Sequence, residues 1–253
     1  MTKTLPVLPE AYRLIELESV DGTNAEAKRV AAAGVGLTRE SIVIWAKAQT
    51  AGRGRRGREW ISPPGNLYCS LLFDPQCGVG EAGQLGLVAS VALQRVISGH
   101  CDHVQCKWPN DVLIGGCKVS GLLMETEASA AGTLAWLVLG VGVNIVHHPE
   151  DTPYPATSLY AEDAEGITVA QMLEGFVGEM DRLLSEWREV GFSAARAAWL
   201  DVAAGLDQKI TVRLPNETLT GVFAGLDAGG ALILNGPEGT RTINSGDVFF
   251  GAE

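Results

Sequence analysis

Thirteen residues, LAWLVLGVGVNIV from Leu134 to Val146, form the longest apolar stretch of the chain and hold two glycines. The run is too short for the roughly 20 residues that a helix needs to cross a bilayer. Its unbroken apolar pattern reads as a strand buried on both faces, which must sit inside a sheet covered by other layers.

They are legible nearby. AYRLIELESV (11–20) reads as a strand leading through DGTN into a helix, AEAKRVAAAG, with Thr23 and Glu26 as a capping box and Gly34 as its end. SIVIWAKA (41–48) and NLYCSLLF (66–73) read as strands, and residues 81–98 as a largely apolar, buried helix. HVQCKWPNDVLI leads through Gly115 and Gly116 into KVSGLLMETE as a hairpin. After a loop at 147–167, Thr168 with Gln171 forms a second capping box. The following apolar residues, from Val169 to Trp187, keep helical spacing up to Gly191. SAARAAWLDVAA adds a short helix. Past Gly205 the pattern changes to short strands (KITVRL, LTGVFAGLD, ALILN, RTINSG, DVFF) separated by turns. Residues 1–205 therefore read as an α+β domain and 206–253 as a small all-β domain.

Composition narrows the chemistry. The formal charge of −11 argues against generic nucleic-acid binding, which needs a basic field. Five cysteines with no CxxC pair fit free thiols in a reducing compartment better than a disulfide framework. The N-terminus lacks a secretion signal. HCDH (100–103) is too crowded to wrap a tetrahedral zinc ion. Against this acidic background QTAGRGRRGREW (49–60) places four arginines within six residues. Its Gly52, Gly54 and Gly57 satisfy GxGxxG, yet REWISPPGN follows where a dinucleotide site needs a helix. The stretch reads as a glycine-hinged loop that gathers phosphate or carboxylate oxygens, or else as a solvated basic loop. Lys107, in the apolar strand HVQCKW, either faces a polar cavity or guards an edge strand. In GVGVN (140–144) the glycines permit close approach of a ligand or of another backbone. The N-terminus of the helix at DGTN offers free N–H groups to polar ligand atoms.

Together QTAGRGRRGREW, KWPNDV followed by GGCKVSGLLMET, and LGVGVN resemble, in order and spacing, the biotin protein ligases, from about residue 14 onward. The resemblance implies a class II synthetase-like catalytic domain, a mixed sheet with packed helices, and a C-terminal SH3-like β-barrel. It implies two steps: the carboxylate of biotin attacks the α-phosphate of ATP, and a lysine of a biotin carboxyl carrier protein then attacks the biotinyl-5′-AMP. Lys107, Arg53 and Arg55 would be catalytic, the lysine neutralising the carboxylate and bridging oxygens. The arginines, on the glycine-hinged loop, would close over the phosphates and shield the anhydride from water. Gly22, Thr23, Asn24 and Gln49 would hold biotin together with Arg53, Gly54, Arg55 and Lys107. Trp60, Asn110 and Asn144 would sit on the nucleotide side. Mg²⁺ is expected with ATP, its ligands unassigned. The family often has serine where this chain has Gly22, whose backbone N–H would serve instead. Twenty residues precede DGTN, so a ligase without a DNA-binding domain, cytoplasmic and off the membrane, is expected, with a homodimer compatible. The rival readings are a lipoate–protein ligase, a non-catalytic biotin-binding module, and an RNA-binding protein using the arginine–glycine loop.

Overall fold

The computed structural model describes residues 5–251 apart from 35, 38, 39, 130, 131, 151, 153 and 165. At its centre lies β7 (Leu134–Val143), flanked by β3 (Leu67–Phe73) and β6 (Cys117–Ala128). Outside β3 follow β2 (Ser41–Ala46) and β1 (Tyr12–Leu17); outside β6 follow β5 (Asp111–Ile114) and β4 (Val104–Lys107). β1 and β2 pair in parallel and every other ladder of this sheet is antiparallel, so the sheet is mixed.

The two faces of β7 have different work, as the period of two along a strand allows. Leu137, Leu139, Val141 and Val143 point into the main core, with Leu85, Val88, Met172 and Phe176 from helices. Those helices are α2 (Ala82–Ser98), α3 (Val169–Val190) and the short α4 (Ser193–Asp201). On the opposite face Val138 packs with Ala27, Ile42, Ile44 and Leu72 under α1 (Thr23–Ala32). The next two residues on that face are Gly140 and Gly142. The side chains that would continue the second core are missing there, and a cavity takes their place.

α3 begins and ends as its sequence signals. Thr168 Oγ1 accepts from the Gln171 N–H while the Gln171 side chain accepts from the Thr168 N–H, and Gly191 closes the helix at φ 81°. α1 does not follow its expected capping box. Gly22 occupies the N-cap with no side-chain cap bond, and Thr23 is the first helical residue. Its hydroxyl is engaged elsewhere, as shown below.

The last five strands, β8 (Lys209–Arg213), β9 (Thr218–Leu226), β10 (Leu232–Gly236), β11 (Gly239–Ile243) and β12 (Asp247–Phe250), form an antiparallel sheet in the order β11-β10-β9-β8-β12. Its buried residues join the main core without a break. Trp199 of α4 meets Phe223 edge-on at 6.3 Å, and the Trp108 indole N–H donates to Gly230 O. At the junction Gly205 sits at φ 76°, and a Cβ there would lie 2.5 Å from the Phe250 ring.

Candidate functional site

The cavity beside Gly140 and Gly142 has a volume of about 700 Å³. The two glycines are explained by side chains of this same chain. A Cβ on Gly140 would lie 2.1 Å from Asn24 Oδ1, and one on Gly142 would lie 2.5 Å from the Trp60 indole. Gly121, the ladder partner of Gly142 on β6, has Trp60 at 3.2 Å from its own Cβ position. The close approach anticipated for GVGVN is therefore made by Asn24 and Trp60, which the glycines admit against the sheet.

The N-terminus of α1 closes one end of the cavity. The Arg29 guanidinium forks Asp21 at 2.7 and 3.0 Å and, with the Gly22 N–H, draws that carboxyl down to about 2. This stiffens the turn from which Thr23 and Asn24 project. Gln49 Oε1 accepts from the Thr23 N–H at 2.9 Å and from its hydroxyl at 3.2 Å. Ser70 of β3, the ladder partner of Gly140, is fully buried and lies 2.8 Å from the Thr23 hydroxyl and 2.6 Å from Asn24 Oδ1. Asn24 Nδ2 donates to Leu123 O and to Glu125, itself paired with Lys28 at 2.6 Å. Gln49 Nε2 reaches Ser62 at 2.9 Å. Gly52 is the hinge that permits this, since a Cβ there would stand 2.4 Å from Trp60 O. The side chains of Thr23, Asn24, Gln49 and Ser70 are held by one another and by the frame before any ligand arrives, so the corner is pre-organised.

Lys107 answers the question left by its sequence. It lies on the edge strand β4, yet its side chain is buried and lines the cavity. Asp111 is its cross-strand partner, but Asp111 Oδ1 is taken by Lys118 at 2.6 Å. Asp247 is taken by Arg58 at 2.9 Å and Arg56 at 3.1 Å. Among the described residues, Lys107 has no carboxylate within ion-pair distance. Its Nζ instead stands 4.6 Å from the ring centre of Tyr154 and 5.2 Å from that of Phe250. Burial pushes the amine below the ordinary lysine range, with Asp111 pulling it back up and Lys118 pushing it further down. A desolvated cation–π contact is worth about 2 kcal/mol. That falls short of the several kcal/mol that an unpaired charge costs on leaving water. The position therefore favours an incoming anion.

The arginine loop lies across the mouth of the cavity, against the small sheet. Arg55 donates to Asn110 Oδ1 at 3.1 Å, to Gly246 O at 3.2 Å and to Ser245 Oγ at 3.0 Å. Arg56 and Arg58 hold Asp247 as described, Arg56 at φ 56° and Gly57 at φ 73° making the tight turn between them. Three of the four arginines are thus anchored. Arg53 is exposed and has no hydrogen bond or ion pair among the described residues.

All eleven residues singled out from the sequence line this one cavity: Gly22, Thr23, Asn24, Gln49, Arg53, Gly54, Arg55, Trp60, Lys107, Asn110 and Asn144. Asn110 and Asn144 also serve the frame, through bonds from their amides to Leu122 O and Thr157 O. Residues that the sequence did not single out are Ser70, Lys118, Asp111, Tyr154 and Asp247. Lys118 and Asp111 stood inside quoted motifs; Tyr154 and Asp247 carried no local signal. No group of three or more His, Cys, Asp or Glu side chains among the described residues is placed to hold a metal ion. Of the five carboxylates that line the cavity, Asp21, Asp111, Glu125 and Asp247 are each paired with a cation, which leaves Glu59 and no group of carboxylates to hold a Mg²⁺ among the described residues.

Comparison with known proteins agrees with this geometry. The sequence model of the biotin/lipoate A/B protein ligase family matches residues 32–144, and that of the biotin protein ligase C-terminal domain matches residues 205–251. The biotin–[acetyl-CoA-carboxylase] ligase of Paracoccus denitrificans is 38% identical over 243 residues, covering 93% of this chain and 99% of that protein. The bifunctional ligase/repressor BirA of Bacillus subtilis is 32% identical over 218 residues, 84% of this chain and 67% of that protein. The structure of the Aquifex aeolicus biotin protein ligase in complex with biotin and ATP superposes with a TM-score of 0.80 at 28% identity, covering 94% of this chain and 97% of that one. On this likeness along nearly its whole length, with all eleven singled-out residues lining one cavity, the chain belongs to the biotin protein ligase family.

Proposed function

We propose that this chain activates biotin with ATP to biotinyl-5′-AMP and transfers the biotinyl group to one lysine of a biotin carboxyl carrier protein. The observation that carries the reading is Lys107: a buried ammonium without a carboxylate partner among the described residues, in a cavity whose mouth is crossed by anchored arginines. In the first step a biotin carboxylate oxygen attacks the α-phosphorus and pyrophosphate leaves. Lys107 faces the negative charge of both carboxylate and phosphate, where a fixed cation in a dry site acts most strongly. Arg53 is free to reach the phosphates, while Arg55 holds the loop closed over the anhydride and excludes water. In the second step the carrier's neutral lysine amine attacks the acyl carbon and AMP leaves.

Thr23, Asn24 and Gln49 face the biotin head, whereas the Gly22 N–H, expected to serve there, is taken by Asp21; Trp60, Asn110 and Asn144 border the nucleotide. Mg²⁺ would arrive bound to ATP phosphates, as nucleotide-bound magnesium commonly does. The carrier is a subunit of acetyl-CoA carboxylase or a similar carboxylase domain. Residence in the cytoplasm fits the free cysteines, and no helix among the described residues is long and apolar enough to cross a membrane. A homodimer and an absence of DNA binding belong to the same proposal.

The test is pyrophosphate exchange into ATP with the purified protein and Mg²⁺, comparing biotin, lipoate and no acid. Exchange with biotin alone is expected. Exchange with lipoate alone would transfer the chain to the lipoate branch of the family, and none with either would leave a binding module.

A further inference from the structure

Lys107 receives its two aromatic contacts from opposite ends of the fold. Tyr154 comes from the loop after β7, whereas Phe250 comes from β12 of the small sheet. The two rings are themselves fixed. Tyr154 stacks on Phe249 at 5.2 Å with 32° between the ring planes, and its hydroxyl interacts electrostatically with Arg58. The Arg213 guanidinium lies 4.3 Å over the other ring of that stack, Phe249. Phe250 rests against Gly205, where any side chain would displace it. A column thus runs from Lys107 through Tyr154 and Phe249 to Arg213, with Phe250 beside it. The carboxylates that could have held Lys107, Asp111 and Asp247, are each neutralised by other cations. Ring faces attract an ammonium without cancelling its charge, whereas a carboxylate would hold it and spend it.

We propose that Tyr154 and Phe250 are positioning residues, an aromatic bracket that holds the Lys107 ammonium in place while leaving its charge available to the substrate anion. The inference rests on the adenylation reading above. It adds that β12 takes part in the first chemical step through Lys107. Replacement of Tyr154 by leucine keeps an apolar side chain and removes the π face; replacement by phenylalanine keeps the face and loses the Arg58 contact.

Two measurements on the full chain test it. The first is the ring-current shift of the Lys107 ε-protons, observed in protein carrying ¹³Cε-lysine. The sequence has six lysines, so the Lys107 signal is assignable by its loss in Lys107→Arg. An upfield signal is expected in the wild type and in Tyr154→Phe, moving downfield in Tyr154→Leu. A wild-type signal at the ordinary lysine position overturns the bracket, whatever the activity. The second is biotin-dependent pyrophosphate exchange. Tyr154→Leu and Phe250→Leu are each expected to lower kcat about tenfold with a smaller change in KM for biotin, and Tyr154→Phe to restore it to within about twofold. Unchanged kcat in both leucine variants, with wild-type exchange intact, overturns the positioning role alone. An equal loss in Tyr154→Phe and Tyr154→Leu assigns the effect to the Arg58 contact and also overturns it. Absence of exchange in the wild type removes the functional reading itself, while the ring-current result still decides the geometry.

Discussion

Lys107 shows how one side chain can be costly to the fold and yet, on the proposed reading, necessary to the site. Burial holds its pKa below the unfolded value, so on lowering pH the unfolded chain takes up this proton first. Its stability penalty is thus absent at high pH, grows as pH falls through the unfolded pKa, and is complete below the folded one. At neutral pH Lys107→Met should melt at the same temperature as the wild type or higher, by calorimetry. Its exchange activity should fall about 10²–10³-fold, the scale for losing one preorganised charge-stabilising group. A large drop in melting temperature would instead make Lys107 a structural residue. Thr23 shows the limits of reading such residues from sequence. Threonine followed three positions later by glutamate is a genuine capping pattern, but the Thr23 hydroxyl is spent on Gln49 and Ser70. A short-range signal and a long-range demand compete for the same atom, and only the fold shows which wins. Thr168 meets no such rival demand, and its capping box forms.

Among the elements, the arginine loop and β12 depend on each other. Arg58 and Asp247 are 189 positions apart, so no local pattern links them. The loop's glycines, arginines and lack of helix were legible in residues 49–60, but what it closes against was not. Two half-exposed ion pairs to Asp247 are together worth about 1–2 kcal/mol. Asp247→Ala should therefore raise the opened fraction of the loop about tenfold. Limited trypsin digestion at Arg53–Arg58 reads this directly, and cleavage at the wild-type rate would show that Arg55 alone keeps the loop in place. β7 was easier to read, because burial on both faces leaves its mark in consecutive residues. Even so, which side packs helices and which opens into a cavity is decided by Gly140 and Gly142. Their purpose is visible only once Asn24 and Trp60 are in position.

Over the whole molecule, the change of pattern at Gly205 marks a change of architecture, yet the hydrophobic core runs across it. Trp199, fully buried, meets Phe223 of β9, and Gly230 receives the Trp108 indole. A chain ended at Ala204 would expose these surfaces, and it should lose cooperative melting, seen as non-coincident far- and near-UV transitions. A sharp, coincident melt would make residues 5–204 an independent folding unit. The placement of Phe250 and Asp247 on β12 also has a consequence in time. Protein synthesis delivers the biotin corner, Lys107 and the arginine loop long before the strand that brackets the lysine and anchors the loop. During translation Lys107 therefore stands without one of its rings and the loop without its latch. On the proposed reading, a growing chain would release no reactive intermediate from a half-built site, because β12 is made after the other residues that line the cavity.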